Sequence, residues 1–471
     1  MNDQVKSKGK TSNTNISKEA IRLNQEGLKQ LLFGKIRNAI HLFKKSIKTD
    51  DLYSDPYFNL GNIYIQKNDF VKSESLYEKA VGLNNNNPDY FFNLAVAKSN
   101  LNKIHDAIVH YQKTLELEPD NAKAFKFLGN CLKDLKNFNE AVKVYNSWRS
   151  LDPENPDPVF NKSLIHIRNG RFDIGWKLYE AGLRNNTREP FDGFYNETKD
   201  IWDGVPFDGT LLVYGEQGLG DQILFGTILP ELLNDQKNII LKVDNRLKNL
   251  FRSSFPNITV VSKHDYINKD QYTKYISMGS LCKFYRKHTD DFMKSEFKSY
   301  HLNHQLPVKY NEQLKKLKNL KIGISWITFS TNNGSKRSLK DVDVARILNC
   351  SNNSYINLQY GDVSGSISNI NKLCDKNLTT IQDLDMTNDL DNLIGVIKNC
   401  DLIITIDNTM AHLASSLGKQ VWILLPYSAD ARWMEKMTAT LWYENALLLR
   451  QSEIGNWESV IQTIELAFSN S

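Results

Sequence analysis

The segment NLGN at residues 59–62 recurs in altered form every 34 residues along the first third of the chain. Small residues take the place of its glycine in each copy: Gly27, Gly61, Ala95, Gly129 and Ser163. A second column of small residues repeats at the same interval: Ala39, Ser73, Ala107, Ala141 and Gly175. Helices pack closely where small side chains stand at their crossing points, so the two columns predict helix pairs stacked one after another.

This period resembles that of the tetratricopeptide repeat, and the resemblance covers residues 17–185 in about five units. Large side chains are expected to fill the gaps between units: Tyr57, Phe58, Phe91, Phe92 and Phe127. Solenoids of this class commonly bind a peptide or a protein in a concave groove, so we expect a protein partner. A spacer or a dimerisation arm is the alternative. The polar, lysine-rich residues 1–16 are predicted to form a disordered tail.

The composition is that of an ordinary globular protein with more than one domain. The chain has 471 residues, and 41% of them are hydrophobic. A domain with a single hydrophobic core rarely exceeds about 300 residues. The 59 basic and 54 acidic residues leave a net charge of +5, which does not indicate a nucleic-acid partner. The five cysteines form no C-x-x-C pair, which favours reduced thiols over disulfides or a zinc site. No apolar run is long enough for a signal peptide or a transmembrane segment, so we expect a cytoplasmic protein.

The periodicity changes where the repeats end. Residues 186–209, rich in Asn, Gly, Pro and aromatic residues, are predicted to form an irregular linker. Beyond it, short apolar runs alternate with helical patterns, which predicts parallel sheets covered by helices on both faces. The candidate strands are Leu211–Tyr214, Ile239–Val243, Ile258–Val261, Tyr275–Met278, Ile322–Trp326, Tyr355–Gln359, Leu402–Ile406 and Val421–Leu425. The stretch Tyr310–Asn319 divides them into two sets. We therefore predict two Rossmann-like domains, residues 210–318 and 319–471, with ligands at the carboxyl ends of their strands.

The stretch LLVYGEQGLGDQILF, residues 211–225, places a glycine-bearing loop between a strand and a helix. Gly218 and Gly220 allow the backbone to approach a ligand closely, and free N–H groups at the start of a helix favour an anion. Asp221 is either the cap of that helix or a general base at the mouth of a cleft, and the sequence leaves both roles open. The spacing is not that of the dinucleotide motif G-x-G-x-x-G, so a nicotinamide cofactor is not predicted.

The stretch DLIITIDNTMAHLASSLGKQVWILLP, residues 401–426, has the same plan of strand, loop and helix. Asp407 follows the strand, and Asn408 and Thr409 begin a helix whose N–H and hydroxyl donors suit a diphosphate. His412 lies one turn further along that helix and can face the same ligand. A packed core histidine is the alternative.

A third stretch, IGISWITFSTNNGSKRSLKD at residues 322–341, presents Lys336, Arg337 and Ser338 on a polar loop after a strand. Cations in that position suit phosphate oxygens, and an arginine can make two parallel hydrogen bonds to them. A solvated basic loop is the alternative. D-x-D triplets also occur at Asp341/Asp343, Asp383/Asp385 and Asp389/Asp391. No cluster of carboxylates or histidines accompanies them in the sequence, so no metal site is predicted.

Taken in order, these stretches resemble the bacterial tetratricopeptide-repeat glycosyltransferases, whose catalytic region is similar to glycosyltransferase family 9, the heptosyltransferase group. The matching stretches are GRFDIGWKLYE (170–180), WDGVPFDGTLLVYGEQGLGDQILF (202–225), IGISW with KRSL (322–339), INLQYGD (356–362), and DLIITIDNTMAHLASSLGKQVWILLP with ARWM (401–434). The resemblance implies a GT-B fold, with residues 210–318 as the acceptor domain and residues 319–471 as the donor domain. It also implies inverting transfer from a nucleotide-diphospho-sugar to a protein or glycan acceptor, with no metal and no other cofactor.

The resemblance further implies roles for residues of the first and third stretches. Asp221 matches the carboxylate that takes the proton of the acceptor hydroxyl. Lys336 and Arg337, followed by Ser338, lie in the loop where the family uses a cation to stabilise the leaving diphosphate. The sequence leaves open which of the two cations makes that contact.

The donor motif Asp-x-x-x-x-His is matched by Asp407 and His412, with Thr409 at the start of the helix between them. Gln359 stands at the strand end where the nucleoside would lie. Asn408 departs from the family, which usually has Thr or Ser at this position. Such departures are also compatible with a tetratricopeptide-repeat scaffold whose GT-B region has no catalytic activity, which is the alternative function.

Overall fold

A computed structural model describes residues 16–185, 187–188, 201–329 and 334–469. The chain divides into two compact units, Met1–Leu151 and Asp152–Ser471. The predicted tail, residues 1–16, lies outside the described residues except for Ile16, as does most of the predicted linker, residues 186–209.

The described part of the first unit consists of paired helices. They are α1 (Lys18–Leu32), α2 (Ile36–Thr49), α3 (Asp55–Gln66), α4 (Phe70–Leu83), α5 (Pro88–Asn100), α6 (Ile104–Leu117), α7 (Ala122–Asp134) and α8 (Phe138–Leu151). A Cβ atom on Gly61 would lie 2.5 Å from the ring of Tyr77, and one on Gly129 would lie 2.3 Å from Tyr145. The first column of small residues therefore marks helix crossings, as predicted, and at Gly27, Gly61 and Gly129 the crossing is closed by an aromatic ring of the second helix.

The turn between the two helices of each pair contains a left-handed residue, and these residues also recur every 34 positions. This third column was not predicted from the sequence. The residue two positions after the first helix has a positive φ, between 57° and 74°, in every case: Gly34, Asn68, Asn102, Lys136 and Gly170. A left-handed residue at this place ends a helix and turns the chain back. Aromatic rings pack between neighbouring helix pairs. The ring centroids of Phe58 and Tyr90 are 4.8 Å apart, and those of Phe92 and Phe127 are 5.7 Å apart.

The second unit begins with the helix pair α9 (Asp157–Arg168) and α10 (Phe172–Tyr179), followed by a parallel sheet. Its strands are β1 (Leu211–Tyr214), β2 (Ile239–Val243), β3 (Thr259–Ser262) and β4 (Lys274–Ser277), in the order β3-β2-β1-β4. The helices of this half are α11 (Leu219–Phe225), α12 (Leu229–Asp235), α13 (Lys248–Ser254), α14 (Cys282–Tyr285), α15 (Thr289–Met293) and α16 (Val308–Lys315). The helical segment from Leu219 to Asp235 is interrupted by a 3₁₀ turn at Gly226–Ile228. Pro230 explains the break, because it has no N–H to donate to the preceding turn.

A second parallel sheet follows, in the order β6-β5-β7-β8-β9. Its strands are β5 (Lys321–Ser325), β6 (Ser354–Asn357), β7 (Leu402–Ile406), β8 (Val421–Leu425) and β9 (Ala446–Arg450). The helices are α17 (Gly334–Arg337), α18 (Asp341–Asn349), α19 (Ser364–Leu373), α20 (Leu390–Lys398), α21 (Thr409–Ser416) and α22 (Glu458–Ser469). The prediction of parallel α/β sheets is confirmed, and β9 is an additional edge strand.

The strand orders define where ligands can bind in this unit. In the first sheet the chain changes its direction of winding between β1 and β4, and in the second sheet between β5 and β7. In open parallel sheets, ligands bind at the carboxyl ends of the strands beside such a switch point. Tyr300 joins the two halves, because its N–H donates to Ser416 O at 2.8 Å and its hydroxyl donates to Ile223 O at 2.7 Å.

All five cysteines are free thiols, and three of them are buried. Within the described part of the chain, no helix combines the length and the apolar character that a membrane span requires.

Candidate functional site

Two helix N-termini meet at the carboxyl ends of β1 and β7. Helix α11 begins after Gly218, and α21 begins after Asn408. A Cβ atom on Gly220 would lie 3.0 Å from Cδ2 of His412 and 3.5 Å from Cα of Thr409. The absence of a side chain at Gly220 therefore allows the first turns of the two helices to come together.

Asp221 lies in the first turn of α11, between the two sheets. Its Oδ2 accepts the N–H of Gly218 at 3.2 Å, which is the capping role left open by the sequence. Its Oδ1 lies 2.6 Å from Nη1 of Arg432, and 16% of its side chain remains exposed. Asp221 is thus a helix-capping residue and also a carboxylate that faces the cleft.

Arg432 is a site residue whose role was not predicted from the sequence. It lies in the 3₁₀ turn Ala431–Trp433 beyond β8, inside the stretch ARWM that belongs to the family resemblance. Its Nε donates to Oδ1 of Asp430 at 2.9 Å, and its Nη1 contacts both Asp221 and His412. Its place after the carboxyl end of a strand was the available signal. The fold was needed to show that its side chain reaches Asp221.

His412 is buried, and its protonation state follows from its contacts. Nε2 lies 3.3 Å from Nη1 of Arg432, and Nδ1 lies 3.1 Å from the hydroxyl of Tyr443. Burial and the charge of Arg432 hold the pKa of His412 well below its usual range, so the ring is neutral near pH 7. An arginine can only donate, so we assign Nε2 as the acceptor and Nδ1–H as the donor to Tyr443. The ring also stacks on Trp433, with centroids 4.9 Å apart and an interplanar angle of 12°.

Asp407 lies deeper, at the carboxyl end of β7, and is 3% exposed. Its Oδ2 is 3.5 Å from Nη1 of Arg337, which also donates to the backbone carbonyl of Asp407 at 3.2 Å. Burial, together with the nearby charge of Asp430, raises the pKa of Asp407. For Asp430, burial alone would raise the pKa, but the charge and hydrogen bonds of Arg432 outweigh it and lower the pKa. Asp407 is therefore the carboxyl group of this pair that takes up a proton first.

The side chains of Ser338 and Arg337 make contacts in different places. The Ser338 hydroxyl donates to Gly334 O at 2.7 Å and accepts the N–H of Thr328 at 3.1 Å, so it closes the base of the loop. Arg337 points toward Asp407, as described above, and the Lys336 side chain is half-buried. Residues 330–333 of the same loop lie outside the described residues.

Gln359 and Asn408 are held inside the second sheet. Oε1 of Gln359 accepts from the Ser325 hydroxyl at 3.0 Å and from the N–H groups of Trp326 and Ile327 at 2.9 and 2.8 Å. Asn408 donates to the same Ser325 hydroxyl at 2.9 Å and caps α21 through the N–H of Met410. Both side chains fix the ends of β5 and β7. Their predicted contacts with the donor stay predictions.

The glycine-bearing loop is supported from behind by a fully buried ion pair. Nη2 of Arg188 lies 2.8 Å from Oε1 of Glu216, and both side chains are 0% exposed. The N–H of Gly279 donates to the same oxygen at 2.9 Å, and the hydroxyl of Tyr179 donates to Oε1 of Gln217 at 2.8 Å. These contacts fix the backbone from which Asp221 projects.

Aspartates of two D-x-D triplets accept hydrogen bonds from nearby backbone N–H groups. Asp389 caps α20 by accepting the N–H of Asn392, and Asp385 accepts the N–H groups of Thr387 and Asn388. The described residues contain no group of three or more His, Cys, Asp or Glu side chains arranged to hold a metal ion.

Comparison with known families identifies the repeats. Residues 54–87 and residues 101–161 match models of the tetratricopeptide repeat. The chain therefore contains tetratricopeptide repeats, as its 34-residue period predicted. Repeats of this kind are protein-interaction modules.

A curated relative extends beyond the matched repeats. The chain is 24% identical to Protein FlbA of Caulobacter vibrioides (strain ATCC 19089 / CIP 103742 / CB 15) over an aligned length of 331 residues, and the alignment covers 65% of this chain and 54% of FlbA. The chain thus spans about half the length of this relative.

Solved structures of repeat proteins are also similar to part of the chain. YrrB, a TPR protein with an unusual peptide-binding site, aligns at a TM-score of 0.33 and 19% identity, covering 35% of this chain and 85% of YrrB. MamA aligns at a TM-score of 0.33 and 21% identity, covering 34% of this chain and 94% of MamA. At TM-scores this low, the two likenesses support no conclusion about this chain.

Proposed function

We propose that the second unit is a GT-B glycosyltransferase of the family 9 type, which transfers a sugar from a nucleotide-diphospho-sugar with inversion. The observation that carries the proposal is the close contact between the first turn of α11, which contains Gly220 and Asp221, and the first turn of α21, at the switch points of two parallel sheets. One side of the cleft supplies a carboxylate, and the other supplies N–H groups and the guanidinium of Arg337. A base opposite an anion-binding group is what displacement at an anomeric carbon requires.

The reaction is an in-line displacement. The acceptor hydroxyl attacks the anomeric carbon and gives its proton to Asp221, while the bond from that carbon to the diphosphate oxygen breaks. The electron pair leaves with the diphosphate, whose added charge is stabilised by Arg337, by Lys336 and by the N–H groups at Thr409. General base catalysis typically contributes about 10²- to 10⁴-fold. Stabilisation of the leaving group is commonly the larger contribution.

The repeats give this transferase a means of recruiting a partner. We propose that the first unit binds a protein that either carries the acceptor or positions the enzyme beside a glycan acceptor. The tetratricopeptide-repeat matches support this part of the proposal.

The experiment compares Asp221→Asn with Asp244→Asn in the full chain. Asp244 is a matched control, because it follows β2 as Asp221 follows β1 and is also paired to an arginine, Arg246, at 2.9 Å. Purified chains are incubated with UDP-, GDP-, ADP-, CDP- and dTDP-sugars, and the nucleoside diphosphate released when the sugar is transferred to water or to an acceptor is measured. Asp221→Asn should lower the rate by at least about a hundredfold while nucleotide binding is retained. An equal rate in Asp221→Asn and in the control would remove Asp221 from the role of base.

A second function has support from a specific observation. Asp221 is already paired with Arg432, and Gln359 and Asn408 are engaged within the second sheet, as in a domain that no longer turns over a donor. In that case the chain is a tetratricopeptide-repeat scaffold without catalytic activity. Calorimetry separates the two functions, because a scaffold with an intact fold would bind none of the nucleotides or nucleotide sugars.

A further inference from the structure

The ion pair between Asp221 and Arg432 joins the two sheets across the cleft. Asp221 follows β1 of the first sheet, and Arg432 follows β8 of the second, with Oδ1 and Nη1 2.6 Å apart. A carboxylate paired with a guanidinium is a weaker base than a free one, because the positive charge favours its ionised form. The ion pair therefore keeps the proposed base engaged.

The guanidinium is oriented by its own turn, independently of Asp221. Asp430 accepts both the side-chain Nε of Arg432 at 2.9 Å and its backbone N–H at 3.2 Å. The side-chain bond occupies Nε of the guanidinium, while Nη1 contacts Asp221 and His412. The neutral His412 accepts from Nη1 on the opposite side, so it supports this orientation without repelling the charge.

Asp221 also has an anchor of its own. The N–H of Gly218 holds Oδ2, so the carboxylate keeps its place in α11 when the ion pair is broken. The side chains of Arg432 and Asp221 are 21% and 16% exposed, so the pair is not fully shielded from solvent. A phosphate offers two oxygens and a higher charge than a carboxylate, and it competes well for a guanidinium.

We propose that the diphosphate of the donor displaces Asp221 from Arg432, so that donor binding itself releases the base for the acceptor. The inference rests on the proposed function and assigns Arg432 as a donor-binding residue of that site. It also gives the reaction an order: the donor binds before Asp221 can accept a proton.

The test measures binding of UDP, GDP, ADP, CDP and dTDP to the full chain by calorimetry, and then follows the tightest of them in four variants. Arg432→Ala should weaken binding at least about tenfold, because the anion loses a charged partner. Arg432→Lys should lie between Arg432→Ala and the wild type. Asp221→Asn should tighten binding severalfold, because the competing carboxylate is gone, and the double variant with Arg432→Ala should lose that gain.

Arg246→Ala is the matched control for the arginine. Arg246 forms the same turn, in which Asp244 accepts its Nε at 2.9 Å and its backbone N–H at 3.0 Å, but it contacts Thr387 O across the sheets. Its removal should leave nucleotide affinity unchanged. Unchanged affinity in Asp221→Asn, or an equal gain in the double variant, would overturn the inference and leave the proposed function standing. Failure of the folded wild type to bind any of the five would overturn both.

Discussion

Gly220 of α11 and His412 of α21 are in close contact, although the two helices follow strands of different sheets. A Cβ atom on Gly220 would lie 3.0 Å from Cδ2 of the histidine ring. The ring cannot yield easily, because both of its nitrogens are engaged and one face is stacked. This contact sets the separation between Asp221 and the N-terminus of α21. The geometry of the cleft thus depends on one glycine.

Gly220→Ala should lower the free energy of unfolding by roughly 1–3 kcal/mol, the usual cost of overpacking, and should abolish most donor turnover. Thermal unfolding and nucleoside diphosphate release measure the two effects. Gly365→Ala in α19 is the control, because a Cβ there meets nothing within 4 Å. Equal stability and activity in the two variants would show that the close approach has no consequence.

Alanine substitutions at three glycines of the first unit distinguish the steric cost of a new side chain from the cost of a left-handed backbone. Gly61→Ala should destabilise the repeats by roughly 1–3 kcal/mol, because the new Cβ would lie 2.5 Å from Tyr77. Gly34→Ala meets no neighbour but has a φ of +70°, so its cost should be about 1 kcal/mol from the backbone alone. Hydrogen exchange of the repeat helices in the full chain measures both.

Gly82→Ala in α4 is the reference for that series. It has neither a close neighbour nor a positive φ, so alanine should stabilise the helix by up to about 1 kcal/mol. Destabilisation by Gly82→Ala as large as that by Gly61→Ala would contradict the assignment of the glycine column to helix crossings.

The buried pair between Arg188 and Glu216 should be costly to break. Glu216→Ala leaves a buried guanidinium short of a partner, which is typically worth about 3 kcal/mol or more. Glu458→Ala breaks a partly exposed pair with Arg346, whose cost should stay below about 1 kcal/mol. Chemical unfolding gives the loss of unfolding free energy in both variants. Similar losses would mean that the pair between Arg188 and Glu216 does not support the glycine-bearing loop.

His412 should make stability depend on pH in a defined direction. Its folded pKa lies well below the unfolded value of about 6.5, so the unfolded chain binds a proton that the folded chain does not. Stability from this group is complete above about pH 6.5 and is lost as the pH falls toward the folded pKa. His412→Gln removes the effect, so the wild type should lose stability relative to this variant between about pH 7 and 5. Parallel curves for the two proteins would refute the buried neutral ring.

Regular spacing made much of the fold predictable. The column through Gly61 predicted helix crossings because a crossing excludes side chains, and the rings that close them follow at a constant distance along the chain. Apolar runs predicted eight buried parallel strands, four of them with the observed bounds, as at Leu402–Ile406, and the other four within two residues of the observed bounds. Both patterns are local in sequence, and both are set by the geometry of a single element or pair.

The site was less predictable because its contacts are distant in sequence. Asp221, Thr409 and His412 were expected to share a cleft, and the structure brings them together. Arg432 was missed because its partner Asp221 is more than two hundred residues away. The contacts that hold Gln359 inside the second sheet depend on the pairing of β5 with β6, which the sequence did not specify.

The most direct test of the central claim is native mass spectrometry of the purified full chain before and after addition of UDP, GDP, ADP, CDP or dTDP. We expect one of them to bind with a stoichiometry of one per chain, and Arg246→Ala and Asp244→Asn to bind it equally well. A folded chain that carries no nucleotide and binds none of them at millimolar concentration would contradict the assignment of a glycosyltransferase site.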